Sequence, residues 1–171
     1  MLPDYLATFE RARQRVSGAS GFESWICKAG LWPDAAAPSA VVLKLLKPHW
    51  SPDPREAIVS AAGIFFSVWI DEPALAKGGL HYNLHALKLR QLTGYALESR
   101  KFATSFRDRF QLAQDRWPNV STAFGPQTLF QGFRECPISA FGSAIFDLAH
   151  SFVPLGEVVE KLLADHKRLA S

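Results

Sequence analysis

The amino-acid sequence predicts an α+β fold, in which an antiparallel or mixed sheet of about four to five strands carries helices on one face. Predicted strands follow one another along the chain instead of alternating with helices, an order that favours antiparallel pairing. Apolar residues at helical spacing flank these strands. The 171 residues include 13 Phe and 5 Trp, so large rings are expected to fill the core. This length predicts a single domain over residues 1–171.

The first part of the chain predicts one helix and then strands. Residues 3–16 place apolar side chains at helical spacing, and Gly18 follows them as a stop. Residues 22–31 fit a strand or a helix equally well. Residues 41–47 begin with two valines and are bounded by prolines, which predicts a strand. Residues 53–56, Asp-Pro-Arg-Glu, carry a helix-start signal for one or two turns.

The centre of the chain predicts a hairpin. Residues 63–71 give the clearest strand, with one entirely apolar face and one mixed face. Residues 72–79 end in two glycines and predict a turn or loop. Residues 80–92 fit both a strand and a helix that Gly94 would end. We interpret them as a strand that pairs with residues 63–71.

The last part of the chain predicts three helices and one strand. Residues 99–115 carry an apolar face of phenylalanines and alanines behind a capping Ser99. Residues 128–135 predict the last strand. Ser139 is expected to cap the next helix, which Pro154 is expected to break before a final helix begins.

Positive charge is concentrated in the middle of the sequence. Residues 77–116 hold eight Lys and Arg against three Asp and Glu, a net +5, whereas the rest of the chain carries −2. We therefore predict a non-catalytic binding module for an anionic ligand, either nucleic acid or a molecule that bears phosphate or carboxylate. The predicted binding residues are Lys88, Arg90, Arg100, Arg107, Tyr82 and Trp117. The alternative is a solvated helix face whose arginine stems cover the edge of the core.

Three histidines support a second hypothesis, an enzyme with a site around His81, His85 and His49. Histidines four residues apart can share a metal ion on a helix. On a strand they lie about 13 Å apart, at about 3.3 Å per residue, which is too far. Because we interpret this segment as a strand, we expect no metal site and no cofactor. No catalytic or phosphate-binding motif is present in the sequence.

Aromatic residues support two further hypotheses. Phe65 and Trp69 on the mixed strand face, or the last helix, would suit a protein-interaction or homo-oligomer surface. Residues 117–132 combine polar side chains with aromatic rings, which is typical of a pocket rim and equally of an ordinary helix-to-strand connection.

The sequence also bears on location. It contains two cysteines, Cys27 and Cys136, which indicates free thiols in a reducing compartment. The amino terminus lacks a signal-peptide pattern, and residues 61–70, the longest apolar stretch, are too short to cross a bilayer. We therefore expect a cytoplasmic protein without a membrane partner. The identity of the ligand does not follow from the sequence.

Overall fold

Five antiparallel strands form one sheet in chain order in the computed structural model, which describes residues 1–33, 37–55, 58 and 60–168, with Pro33 described by its backbone alone. The strands are β1 (Ile26–Pro33), β2 (Pro38–Leu46), β3 (Gly63–Ile70), β4 (Gly79–Leu87) and β5 (Thr128–Glu135). The α-helices in the described part of the chain are α1 (Leu6–Ser17), α2 (Glu72–Lys77), α3 (Ser99–Phe110) and α4 (Phe141–Asp165). The predicted α+β class with an antiparallel sheet is confirmed.

One face of the sheet carries the helices. Helices α1 and α4 pack against it and against each other. The core side of β3 consists of Ile64, Phe66, Val68 and Ile70, all fully buried. The register carries this face across the neighbouring strands, since Leu43 of β2 and Tyr82 of β4 both pair with Val68. The alternation in residues 63–71 therefore predicted the buried face correctly.

Aromatic rings fill the space between the sheet and the helices, as the composition predicted. Phe110 of α3 stacks on Phe130 of β5 with centroids 4.6 Å apart. Phe152 of α4 stacks on Phe66 at the same centroid distance. The helices are therefore attached to the sheet through ring contacts, and the whole forms a single compact α+β domain.

The predicted break at Pro154 is wrong, because Pro154 lies inside α4, one continuous helix of 25 residues. Pro154 is exposed on the outer side of the helix, where the missing N–H leaves only the carbonyl of His150 without its helical partner. Phe152 and Leu155 on either side are both buried against the core. Packing of the inner face therefore outweighs the local cost of the proline.

Helix α4 is also long and apolar enough, together with the turn before it, to cross a membrane by length and composition alone. Its apolar side chains instead lie against α1 and the sheet. The buried core helix of a globular domain has the same length and composition, so this feature alone is weak evidence for a membrane-spanning helix. The predicted absence of a membrane partner stays a prediction.

At three other segments the structure settles an open prediction or corrects a wrong one. The ambiguous residues 22–31 contribute β1. Residues 72–79, predicted as a loop, contain α2, because Asp71 accepts a hydrogen bond from the Ala74 amide and Gly78 ends the helix in the left-handed region at φ 85°. The predicted helix start at residues 53–56 is a turn at Pro54 and Arg55, and Glu56 lies outside the described residues.

Candidate functional site

The strand interpretation of residues 80–92 is confirmed as far as Leu87, and β4 pairs with β3 as an antiparallel hairpin. The strand ends there because Lys88 adopts a left-handed conformation with φ 45°. Arg90 follows in a short 3-10 helix, Leu89–Gln91. Lys88 and Arg90 therefore lie exposed beyond the end of β4 and do not share a strand face with Tyr82.

The chain after α4 adds two cations to this region. The Arg168 amide donates to the Gly94 carbonyl at 2.9 Å, and the Ala96 amide donates to the His166 carbonyl at 2.9 Å. Residues 166–168 are thereby held against the loop between β4 and α3. We define the terminal cationic surface as Lys88, Arg90, Arg100, Lys167 and Arg168, all of which are exposed. Within the described part of the chain, none of the five has a carboxylate oxygen within 4.0 Å.

Arg107, the fourth cation of the predicted site, is occupied by the protein's own backbone. Its Nε donates to the Leu129 carbonyl, and its Nη2 lies within hydrogen-bond distance of three further carbonyl oxygens. These belong to Phe124, Gly125 and Thr128, at 2.9 to 3.0 Å. Burial lowers the pKa of this guanidinium. Arg107 therefore joins α3 to the loop that enters β5, and ligand binding by this residue stays a prediction.

We expect Arg107→Ala to lower the free energy of unfolding by about 2 kcal/mol, since charged hydrogen bonds contribute about 1.5–3 kcal/mol and several carbonyls would lose their donor. Arg100→Ala, on the same helix but exposed, is the matched control and should change it by less than about 0.5 kcal/mol. Urea denaturation followed by circular dichroism measures both. Equal effects of the two substitutions would contradict the structural role of Arg107.

Tyr82 and Trp117, the two aromatic residues of the predicted site, belong to the core. Tyr82 is fully buried, and its hydroxyl donates to the Pro118 carbonyl at 2.5 Å. Burial raises the pKa of this hydroxyl. Trp117 is 9% exposed and contacts the rings of Tyr82, Phe130 and Phe152. Neither ring is presented on the terminal cationic surface, so base stacking there would need other side chains.

The three histidines lie in separate surroundings. His49 contacts the Glu160 carboxylate of α4, with Nε2 2.7 Å from Oε1. His81 stacks on Trp69 with centroids 5.0 Å apart and lies 3.6 Å from Asp71. His85 instead contacts Asn83. Across the described ranges, no three His, Cys, Asp or Glu side chains are close enough together to hold a metal ion.

The second face of the sheet carries a polar row that crosses the strands. Ser67 of β3 pairs with Asn83 of β4, which pairs with Gln131 of β5. Lys44 of β2 pairs with Ser67 and extends the row. Lys44 and Asn83 are both 2% exposed and Ser67 is 5% exposed. Buried polar residues in adjacent register positions mark this face as the second candidate site.

A cavity of about 230 Å³ opens over this row. Ser67, Asn83 and Gln131 line it together with His85 and Trp69. Its remaining lining residues are Trp32 and Val42. Gln131 comes from the segment 117–132, whose composition had suggested a pocket rim.

Asn83 and His85 form a hydrogen-bonded pair in the cavity. Asn83 Nδ2 lies 2.8 Å from His85 Nε2, and His85 Nδ1 lies 3.3 Å from both the Gln127 carbonyl and the Thr128 hydroxyl. Burial lowers the pKa of His85, which favours the uncharged ring. Among the described residues, Asn83 Oδ1 is a fully buried oxygen without a hydrogen-bond partner.

The structure corrects the prediction of an exposed interaction face at Phe65. Phe65 is 6% exposed, lies beside the His85 ring at 5.2 Å and is covered by the Lys44 ammonium at 4.4 Å. The sequence pattern did not single out Asn83, and it included Gln131 only as part of the possible pocket rim at residues 117–132. In each strand the pattern that could have indicated them is a polar residue between apolar neighbours. Only the strand register shows that the two residues lie side by side.

No family model, curated protein or solved structure matches the chain.

Proposed function

We propose that this chain is a binding module whose ligand is a phosphate-bearing polyanion, such as single-stranded nucleic acid, held by the terminal cationic surface. The observation that carries the proposal is the hydrogen bonding of residues 166–168 to residues 94–96, which adds Lys167 and Arg168 to the cations of the predicted site. The proposed residues therefore differ from the predicted ones: Arg107 is engaged by backbone carbonyls, and Lys167 and Arg168 take part instead.

The charge balance of the surface supports an anionic ligand. Glu98, the acid in the loop between β4 and α3, lies 3.4 Å from Lys101 and so faces a cation outside the defined set. Asp165, the acid nearest the end of α4, lies 3.8 Å from Arg109. The five cations of the surface are exposed, so an extended anion that lies along the surface suits them better than a small enclosed one.

The test is fluorescence anisotropy with a labelled single-stranded oligonucleotide of about 20 nucleotides at several salt concentrations. We expect the triple variant Arg90→Gln, Arg100→Gln and Arg168→Gln to weaken binding at least tenfold at low salt. The slope of log affinity against log salt should fall by about 2, at roughly 0.7 per lost phosphate contact on a single strand.

The matched control removes the same charge elsewhere, through Arg11→Gln, Arg55→Gln and Arg116→Gln, three exposed arginines outside the terminal cationic surface. The affinity of this control variant for the oligonucleotide should stay within about twofold of the wild-type affinity, because the three removed charges lie outside the terminal cationic surface. Equal weakening by both triple variants would show that only overall charge matters and would overturn the proposal. Binding by the wild type that does not respond to salt would overturn it as well.

A further inference from the structure

The cavity on the sheet face opposite α1 and α4 presents hydrogen-bonding groups that the described residues do not use. Asn83 Oδ1 has no partner within the described chain, and the Ser67 hydroxyl and the Gln131 amide make no hydrogen bond to the described residues either. All three lie in adjacent register positions on strands spaced about 4.8 Å apart. A buried polar group without a partner destabilises the folded protein, so this arrangement is expected to serve a ligand.

The aromatic neighbours of the polar row set the shape of the ligand. Trp69 with His81 forms a row on one side, and Phe65 with His85 forms a row on the other. These rows are four residues apart along the strands, or about 13 Å. Contact distances of about 3.5 Å on each side leave a width of about 6 Å, which is room for one ring. The volume of about 230 Å³ is also below the usual range for drug-sized ligands.

The polar groups set the chemistry of the ligand. Asn83 Nδ2 is engaged by His85, so Oδ1 accepts from an N–H group. The Gln131 amide and the Ser67 hydroxyl can each donate to a carbonyl oxygen next to that N–H. If the Asn83 side-chain amide were rotated by 180°, Nδ2 instead of Oδ1 would lack a partner. A ligand with both an N–H and a carbonyl could pair with either atom. The Asn83, Ser67 and Gln131 side chains carry no charge, so they favour an uncharged ligand.

We propose that this cavity is a binding site for an uncharged, single-ring planar amide or lactam, whose N–H and carbonyl edge is read by Asn83, Ser67 and Gln131. The site lies on the sheet face opposite α1 and α4 and uses none of the residues of the terminal cationic surface. It therefore does not depend on polyanion binding.

The experiment measures binding of two probes, uracil and nicotinamide, to the full chain by protein-detected NMR titration. Each probe is paired with an analogue that lacks the N–H donor, 1,3-dimethyluracil and N,N-dimethylnicotinamide. We expect at least one probe to bind saturably with shifts at residues lining the cavity, and its methylated analogue to bind at least tenfold more weakly. Equal binding of a probe and its analogue, shifts confined to other surfaces, or no saturable binding of either probe would overturn the proposal.

Two variants with one matched control locate the interaction. Asn83→Leu should lower the affinity for the probe that binds at least tenfold, and Gln131→Leu should lower it at least threefold. Gln111→Leu makes the same change at an exposed position outside the cavity and should stay within twofold of the wild type. Gln131 is only partly buried, so Gln131→Leu keeps the test decisive if Asn83→Leu fails to fold. Unchanged affinity in a folded variant at position 83 or 131 would reject the site.

Discussion

Phe66→Ala is expected to lower the free energy of unfolding by about 4 kcal/mol, since truncating a buried phenylalanine costs about 3–5 kcal/mol through lost burial and the cavity left behind. Phe66 is fully buried and stacks on Phe152. Its ring also lies 6.0 Å from those of Trp25 and Trp50 and 6.5 Å from that of Phe130. These rings come from the segment before β1, the β2–β3 connection, β5 and α4. The space left by the missing Phe66 ring would therefore lie where the sheet meets its helices.

Urea denaturation followed by far-ultraviolet circular dichroism measures this loss. Phe124→Ala is the control, because Phe124 is 40% exposed and should change the free energy of unfolding by about 0.5 kcal/mol or less. An unchanged slope with urea concentration would show that the same surface is exposed on unfolding in both chains. A loss below about 1.5 kcal/mol for Phe66→Ala would contradict its central place in the core.

Gly132→Ala is expected to cost about 3 kcal/mol, the upper part of the range for overpacking. A Cβ atom at position 132 would meet the Tyr82 ring at 2.3 Å. The ring lies across Gly132 on the way to Pro118, whose carbonyl accepts the Tyr82 hydroxyl, and it cannot move without losing that hydrogen bond. Thermal or urea unfolding of the variant measures the cost.

The matched control is Gly142→Ala near the start of α4, where an added Cβ has open space. There alanine should leave stability unchanged or raise it by up to about 1 kcal/mol, because it favours the helix. The double variant Gly132→Ala and Tyr82→Leu should lose less free energy of unfolding than the two single variants lose together, since both substitutions act on the same contact. If Gly132→Ala unfolded at the same midpoint as the wild type, the Tyr82 ring would not lie against Gly132.

The sequence predicted most elements whose patterns are local. Residues 63–71 alternate apolar side chains, and residues 99–110 repeat them at helical spacing, so burial of one face follows directly from the period. The proline signal at Pro154 was local too, but it failed because Phe152 and Leu155 gain more from packing on the sheet than one missing hydrogen bond costs.

The candidate sites required distances between parts of the chain that no local pattern specifies. Arg100 and Arg107 are two turns apart on one helix and look equivalent in the sequence. The loop that enters β5 surrounds Arg107 with carbonyls and leaves Arg100 in solvent. Lys167 and Arg168 likewise joined the cationic surface only through backbone contacts with the loop at residues 94–96.

The sequence by itself determined the α+β class, the strands at residues 41–47, 63–71 and 128–135 and an aromatic core, because these depend on the periodicity and composition of short segments. Only the tertiary structure decided that backbone carbonyls surround Arg107, that residues 166–168 lie against residues 94–96, and that Ser67, Asn83 and Gln131 meet in one cavity. The register between strands brings together residues far apart in the chain, and register is set by the packing of the whole sheet.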